Sequence, residues 1–373
     1  MSLIIAEIGT SHECSIEKAL EMCKKAKESG ADAIKFQWVY ADEILHPDTG
    51  YVKLPTGNIR LYDRFKQLEC SKDFYKECLD YVHSLGCKFC CSPFGIRSLH
   101  ELLELNPDIV KIASPEVNHY PLLKELAAYR RKQSEKGEKP VSVIISSGVS
   151  KLSDIEKALE ILGYDDVSLL HCITSYPAPE SEYNLNVIKN LSGIFGIECG
   201  VSDHSLSPVL VPVLNTILGG KIIEKHFTLS KETSGLDDPV ALEPEEFALM
   251  VHCIHQSEAS LRHYGESLAF ERAIEQLSEQ FGKDKVMQVL GSGVKKLAPS
   301  EEANYGRTNR SLHYMKSFKK GHVIKEEDIA VLRTEKELSP GLSPAFLEEV
   351  TGAVLQKDVS NGQGLSLSDF IEK

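Results

Sequence analysis

Lys221-Ile222-Ile223-Glu224-Lys225-His226 is a short apolar run that ends in a carboxylate, an amine and an imidazole. The same phrase recurs along the chain. Glu7 closes Leu3-Ile4-Ile5-Ala6, Lys35 and Gln37 close Ala31-Asp32-Ala33-Ile34, Ser92 follows Phe89-Cys90-Cys91, and Lys111 with Ser114 follows Asp108-Ile109-Val110. Further on, Ser146 closes Val141 to Ile145, His171 closes Val167 to Leu170, and Ser202-Asp203-His204 follow Gly200-Val201. If these strands are parallel, all of those groups converge on one rim. A closed (β/α)8 barrel carries its chemistry at the carboxyl ends of its strands, so the repetition predicts an α/β protein built on a TIM barrel, with its active site at that rim.

Between the strands lie segments of helical period. Ile16, Ala19, Leu20, Cys23 and Ala26 share a face, as do Phe74, Cys78, Leu79 and Val82, and then Ile155, Ala158, Leu159 and Leu162. Ser153-x-x-Glu156 has capping-box spacing near the start of the third. Strands alternating with such helices pair in parallel through right-handed crossovers. One βα connection, residues 38 to 71, is long and broken by Pro47, Gly50, Pro55 and Gly57, which predicts a lid or a subunit contact. The barrel is expected to span 1–263, with a last helix near 244–263 and a charged helical linker over 264–306. Residues 307–373 read as a separate unit, because Lys319-Lys320-Gly321-His322-Val323-Ile324 and Asn361-Gly362-Gln363-Gly364-Leu365-Ser366 each suggest a glycine turn between short strands.

The 373 residues exceed one barrel and leave room for that second unit. A net charge of -13 argues against a nucleic-acid or anionic-membrane partner, either of which needs a basic face. The N-terminal apolar run is too short for a signal peptide or a membrane span, so a cytoplasmic protein is expected. Ten scattered cysteines in such a protein read as reduced thiols. Cys87-x-x-Cys90 lies within a strand and has no matching second pair, which favours buried structural thiols over zinc.

His204 and His226 follow the last two barrel strands and are the metal candidates, since two imidazoles leave coordination positions open on a borderline divalent ion. Hydrogen bonding within the rim is the plainer alternative. Lys35, Lys111, Ser114, Ser146 and Ser202 would form a ring of cations and hydroxyls suited to a substrate carrying phosphate and carboxylate. Lys111 or Lys225 would instead serve as the Schiff-base nucleophile of an aldolase. Glu7, Glu116 and Glu224 are the acid-base candidates, or carboxylates that hold the histidines and lysines in place by hydrogen bonds and ion pairs, and His12 either assists them or caps its turn.

Eight phrases in order resemble the sialic acid synthase family (N-acetylneuraminate synthase, or spore coat polysaccharide biosynthesis protein E-like): Ala6-Glu7-Ile8-Gly9, Ile34-Lys35-Phe36-Gln37, Ser92-Pro93-Phe94, Val110 to Glu116, Ile145 to Gly148, Leu170 to Pro177, Gly200 to Ser205, and Glu224 to Thr228. The resemblance implies a metal-dependent transferase that condenses phosphoenolpyruvate with an N-acyl amino-sugar and releases phosphate by C–O cleavage. It implies a barrel followed by an antifreeze-like (SAF) domain that caps a partner's barrel in a domain-swapped homodimer. It also implies phosphoenolpyruvate held by Lys35, Ser92, Lys111, Ser114, Ser146, Tyr176 and Ser202, and manganese, with magnesium or cobalt as alternatives, on His204 and His226. Asp237, in Ser234-Gly235-Leu236-Asp237, and Arg333 of the capping domain would bind the acceptor sugar. Glu7 and Glu224 would stabilise positive charge or orient water, and Glu116 would manage the aldehyde proton.

The chain departs from the family pattern at Ser11, Cys14, Trp38, Thr174 and Thr334-Glu335-Lys336-Glu337. These leave the phosphoenolpyruvate half intact, and the expected acceptor is an amino-sugar or related aldose that need not be N-acetylmannosamine. Two competing readings remain beside the synthase: the Schiff-base aldolase, and a sugar-binding homologue without turnover, motivated by bulky Trp38 and the altered capping loop.

Overall fold

The computed structural model describes residues 1–54, 57–233, 235–334 and 337–371; Pro55, Ser234, Glu335 and Lys336 of the sequence reading lie outside them. Eight parallel strands, β1 (Leu3–Gly9), β2 (Ala33–Trp38), β5 (Lys88–Pro93), β6 (Ile109–Ile112), β7 (Ser142–Ser146), β8 (Val167–Cys172), β9 (Cys199–Asp203) and β10 (Ile222–His226), close into a barrel in which β1 pairs with both β2 and β10. A hairpin of β3 (Tyr51–Leu54) and β4 (Gly57–Arg60) leaves the barrel between β2 and β5. β11 (Ser311–Tyr314) and β12 (Ile329–Leu332) pair antiparallel in the small C-terminal domain.

Strand alternation decides which side chains reach the barrel axis. Ile5, Ala33, Cys90, Ile109, Ile144, Leu170 and Ile222 form one apolar cluster inside the barrel. The intervening Ile4, Ala6, Ile34, Phe36, Phe89, Val110, Val143, Leu169, Val201 and Ile223 belong to a separate core between strands and helices. Gly200 fills its place beside β10 because nothing larger fits: a Cβ there would lie 2.0 Å from the Ile222 carbonyl oxygen. Gly200→Ala is therefore expected to cost about 1–3 kcal/mol, read as a fall in melting temperature, because the barrel wall would have to move to admit it.

The helices bury the faces their periodicity offers. Ser15 caps helix Ile16–Glu28, its Oγ accepting the Lys18 N–H at 3.2 Å, and Ala19, Met22, Cys23 and Ala26 are buried. Helix Leu152–Leu162 starts earlier than the Ser153/Glu156 spacing suggested; Asp154 accepts the Lys151 N–H at 2.8 Å and makes the cap there. The last barrel helix, Pro244–Phe281, is broken at Gly265, whose φ of 75° lies in the left-handed region. Among the described residues no helix is long and apolar enough to cross a membrane.

The described residues of the long β2–β5 connection form a bracket between the two domains. Its helix Ala41–Ile44 ends where Ile44 accepts the Arg333 N–H at 2.9 Å, and Thr49 Oγ1 donates to the Thr334 carbonyl at 3.3 Å. Asn118, beyond β6, exchanges two side-chain hydrogen bonds with the Arg310 backbone at 2.8 and 2.9 Å. The resemblance set Arg333 over a partner's barrel. In this structure the small domain sits on its own chain's barrel, through contacts spread over the bracket and the β6 exit.

The reduced-thiol expectation is corrected at one pair: Cys14 and Cys70, 56 residues apart, are joined as a disulfide. The cysteines of the Cys87-x-x-Cys90 phrase are buried and unpaired. His12 caps its turn, Nδ1 accepting the Cys14 N–H at 3.1 Å.

Candidate active site

One step above the apolar floor, the side chains two residues further along each strand form a polar layer. Ile5 leads to Glu7, Ala33 to Lys35, Cys90 to Ser92, Ile109 to Lys111, Ile144 to Ser146, Leu170 to Cys172, Gly200 to Ser202 and Ile222 to Glu224. Eleven of the fourteen candidate residues line one cavity at this level: Glu7, Lys35, Ser92, Lys111, Ser114, Ser146, Tyr176, Ser202, His204, Glu224 and His226. Glu116, Asp237 and Arg333 do not. Gln37, Phe94 and Cys172 line it too, and sequence reasoning had not put them among the site residues. The two-residue repeat would have found Gln37 and Cys172.

The layer is charge-balanced. Lys35 Nζ bonds Glu7 and lies 3.5 Å from Glu224 Oε1, while Lys111 Nζ lies 3.9 Å from Glu224 Oε2. Gln37 Nε2 donates to the second Glu7 oxygen at 2.8 Å, and Ser202 Oγ donates to Glu224 at 3.1 Å. Burial pushes the Glu224 carboxyl upward, but Lys111 and Lys35 overcome it and hold Glu224 at about 2. Burial dominates at Lys111, drawing its ammonium below the ordinary lysine value despite Glu224. Lys111 Nζ donates to Ser146 Oγ at 2.6 Å. Ser92 Oγ and Thr174 Oγ1 are buried without a protein partner; Ser92 lines the cavity, so its hydroxyl remains free to bond a ligand there, whereas Thr174 is not among the lining residues.

Across the mouth, the His204 and His226 rings lie 5.4 Å apart, and Tyr176 stacks on His204 at 4.2 Å. His204 Nδ1 is 2.8 Å from the Ile173 carbonyl, which can only accept, so Nδ1 carries a proton whatever the charge of the ring. Burial opposes protonation of His204, yet the nearby Cys172 sulfur and the Ile173 carbonyl lift it to about 9. Burial keeps His226 neutral, with a value of about 3. Asp237 Oδ2 approaches His226 Nδ1 at 3.8 Å.

Several candidates face elsewhere. On β8, Leu170 and Cys172 point inward, so His171 between them points out to the helices, where Nε2 bonds the Tyr183 carbonyl. Asp203 and Lys225 also turn outward, and they pair with each other at 2.7 Å in the buried wall. Lys225 is therefore not an aldolase nucleophile. Trp38 faces outward and stacks on Tyr75 at 4.0 Å, so its bulk does not enter the site.

Glu116 is corrected most. Its two oxygens accept from Arg310 Nε at 2.6 Å and Arg333 Nη2 at 2.7 Å, in a fully buried cluster. Burial raises its carboxyl, but the two guanidiniums overcome that and hold it below the usual carboxylate range. It fastens the small domain and does not line the cavity, which puts it away from a substrate proton. Arg333 stands behind the cavity wall, its guanidinium 5.2 Å from the Phe94 ring centre.

Comparison with known proteins adds an independent line. The sequence pattern of the NeuB family matches residues 22–265, and that of the SAF domain matches residues 309–371. The chain is 29% identical to N,N'-diacetyllegionaminic acid synthase of Campylobacter jejuni, over 96% of this chain and 96% of that protein. It is 31% identical to a pseudaminic acid synthase of the same species, over 98% of this chain and 96% of the other. The crystal structure of spore coat polysaccharide biosynthesis protein SpsE from Bacillus subtilis matches with a TM-score of 0.81 at 30% identity, covering 100% of this chain and 96% of that one.

Proposed function

This chain belongs to the NeuB family and carries a C-terminal SAF domain, and from that premise we propose that it condenses phosphoenolpyruvate with an N-acyl amino-sugar to form a nonulosonic acid. One observation carries the reading: Lys35, Lys111 and a set of hydroxyls occupy a single buried layer beside two imidazoles. Two lysines and hydroxyls suit a small anion with both phosphate and carboxylate.

The imidazoles fit a divalent ion. The rings are close, Asp237 adds a carboxylate near His226, and His204, held through Nδ1, would give up its Nε2 proton to take the ion. When bound, the ion, manganese in this reading, would supply Lewis-acid polarisation of the acceptor's aldehyde oxygen. The protein residues do the rest. Lys35, Lys111, Ser92, Ser114, Ser146, Ser202 and Tyr176 bind and orient phosphoenolpyruvate. Its C3 forms the new bond to the aldehyde carbon, and the aldehyde oxygen takes up a proton from water to become a hydroxyl. Positive charge then grows at C2, beside the carboxylates of Glu7 and Glu224. Water adds at C2, giving up one proton to Glu7, and the C–O bond to phosphate breaks as the new C2 hydroxyl passes its remaining proton to the departing phosphate, leaving the 2-keto acid.

Asp237 and Arg333 are placed at the acceptor end in this reading, Arg333 through its support of Phe94. A homodimer that exchanges SAF domains would keep the Glu116–Arg310–Arg333 contact between chains; a light-scattering mass of one chain would remove that part of the proposal.

Phosphate release from phosphoenolpyruvate, assayed over a panel of N-acyl hexosamines, tests the function. Release is expected with at least one acceptor, to stop on chelation and to return with manganese. No release with any acceptor would favour a binding role. A stable adduct trapped by borohydride from pyruvate on Lys111 would favour the aldolase instead.

A further inference from the structure

We propose that Glu301, in the linker after the barrel, is a positioning residue that clamps the β7 and β8 exits together and so shapes the cradle for the phosphate of phosphoenolpyruvate. The inference deepens the reading above and rests on it.

Glu301 is fully buried, yet it is not part of the barrel. Its Oε1 accepts two backbone N–H groups from different loops, Val149 at 2.7 Å and Thr174 at 2.8 Å. Its Oε2 accepts the Ala298 N–H at 3.1 Å, which fixes the linker itself. Bonds to an ionised carboxylate are roughly twice as strong as neutral ones, so one side chain sets the spacing of the two exits. The loop it holds needs holding. Val149 is β-branched and sits at a φ of 41°, a region such side chains avoid. Other linker groups grip the same turn: Asn309 Nδ2 donates to the Val149 carbonyl at 3.0 Å, and Lys295 Nζ to the Ser147 carbonyl at 2.8 Å.

The strained turn lies directly beneath the anion-binding hydroxyls. Ser146 precedes it, and the Gly148 N–H donates to Ser114 Oγ at 3.0 Å. A Cβ on Gly148 would lie 2.0 Å from Thr174 Oγ1 and 2.8 Å from Ser114 Oγ, so turn and hydroxyls are in close contact. If Val149 relaxes to negative φ, Gly148 rotates and the partnerless Thr174 hydroxyl moves with it. Backbone strain kept beside a binding site is a recurrent sign of preorganisation. Here the strain is held from outside the barrel, by the segment that leads to the SAF domain.

The test uses the full chain. Glu301→Gln keeps one acceptor oxygen but turns an NH2 group towards an N–H donor. It is expected to weaken phosphoenolpyruvate and inorganic phosphate binding, measured calorimetrically, about 10- to 100-fold. The Thr174 N–H shares a peptide unit with the Ile173 carbonyl that holds His204 Nδ1, so the acceptor KM should also rise, but by less than the loss in phosphoenolpyruvate binding. Val149→Gly, which adopts positive φ without strain, should bind phosphoenolpyruvate within about threefold of wild type, and should restore Glu301→Gln to within about threefold when combined with it. Glu301→Gln binding like wild type would overturn the proposal; so would an equal loss for both substrates without rescue by Val149→Gly. Amide hydrogen exchange at Val149 and Thr174 reads the clamp without any ligand. Exchange should quicken in Glu301→Gln, and unchanged exchange would overturn the proposal even if the wild type bound no phosphoenolpyruvate, a result that would sink the functional reading on its own.

Discussion

Glu116→Ala is expected to cost about 3–5 kcal/mol and to release the small domain from the barrel, because it leaves two guanidiniums buried without a counter-charge. Arg310 is the more exposed to this loss. Besides Glu116 it bonds the backbone carbonyls of Glu43 at 2.5 Å and Val331 at 3.1 Å, which cannot neutralise it. Differential scanning calorimetry should show one transition for the wild type and two for the variant, with the C-terminal unit melting first. Glu116→Gln should retain part of the contact, since a carboxamide oxygen can still accept from one arginine.

The acid limb follows from the sign of the shift. A carboxyl whose folded value is depressed contributes stability above its unfolded value near 4.5, and that contribution is lost as pH falls through the folded value. The wild type should therefore lose stability in acid more steeply than Glu116→Gln. A variant with wild-type melting, or with normal domain docking in limited proteolysis, would show that the backbone contacts of the bracket suffice without this carboxylate.

The barrel was legible because its signal is local and repeated. Eight apolar runs, each ending in polar groups, survive the loss of any single one. The working layer was legible for the same reason, except where strand parity was ignored. His171 and Lys225 are polar and stand at strand ends, but each is one residue out of step with the inward set that includes Leu170 and Glu224, so both point into the wall. Trp38 is out of step with Lys35 and Gln37 in the same way, and its bulk, which suggested a damaged acceptor site, packs against Tyr75. Long-range pairs left no local trace. Glu116 meets arginines 194 and 217 positions away, and Cys14 meets Cys70 across 56. Glu301 is one acidic residue in a charged linker, and only the folded chain shows that its carboxylate ends between two loops of the barrel mouth.

Lys111→Met should separate activity from stability in the opposite sense to Glu116→Ala. The ammonium is buried and its partner Glu224 has a second cation in Lys35, together with the Ser202 hydroxyl, so an apolar side chain of similar length leaves no carboxylate wholly unpaired. Replacing a buried ion by a well-packed apolar group is often neutral or stabilising, and the melting temperature is expected to hold or rise. Activity should not hold. Removing a preorganised group aimed at developing or bound charge typically costs about 10²–10³-fold, and kcat/KM for phosphoenolpyruvate should fall by that much. The pH profile gives a second reading. Burial has drawn the Lys111 value below 10.5, so its charged form is lost as pH rises through the folded value, and phosphoenolpyruvate affinity should decline on the alkaline side. Stability moves the other way in that window, because a folded chain that has already shed the proton no longer bears the cost of burying it. Lys111→Met should lack the alkaline limb in binding. A Lys111→Met enzyme with kcat/KM within threefold of wild type would leave the central lysine of the polar layer without a role in holding the anion, and the phosphoenolpyruvate assignment would fail with it.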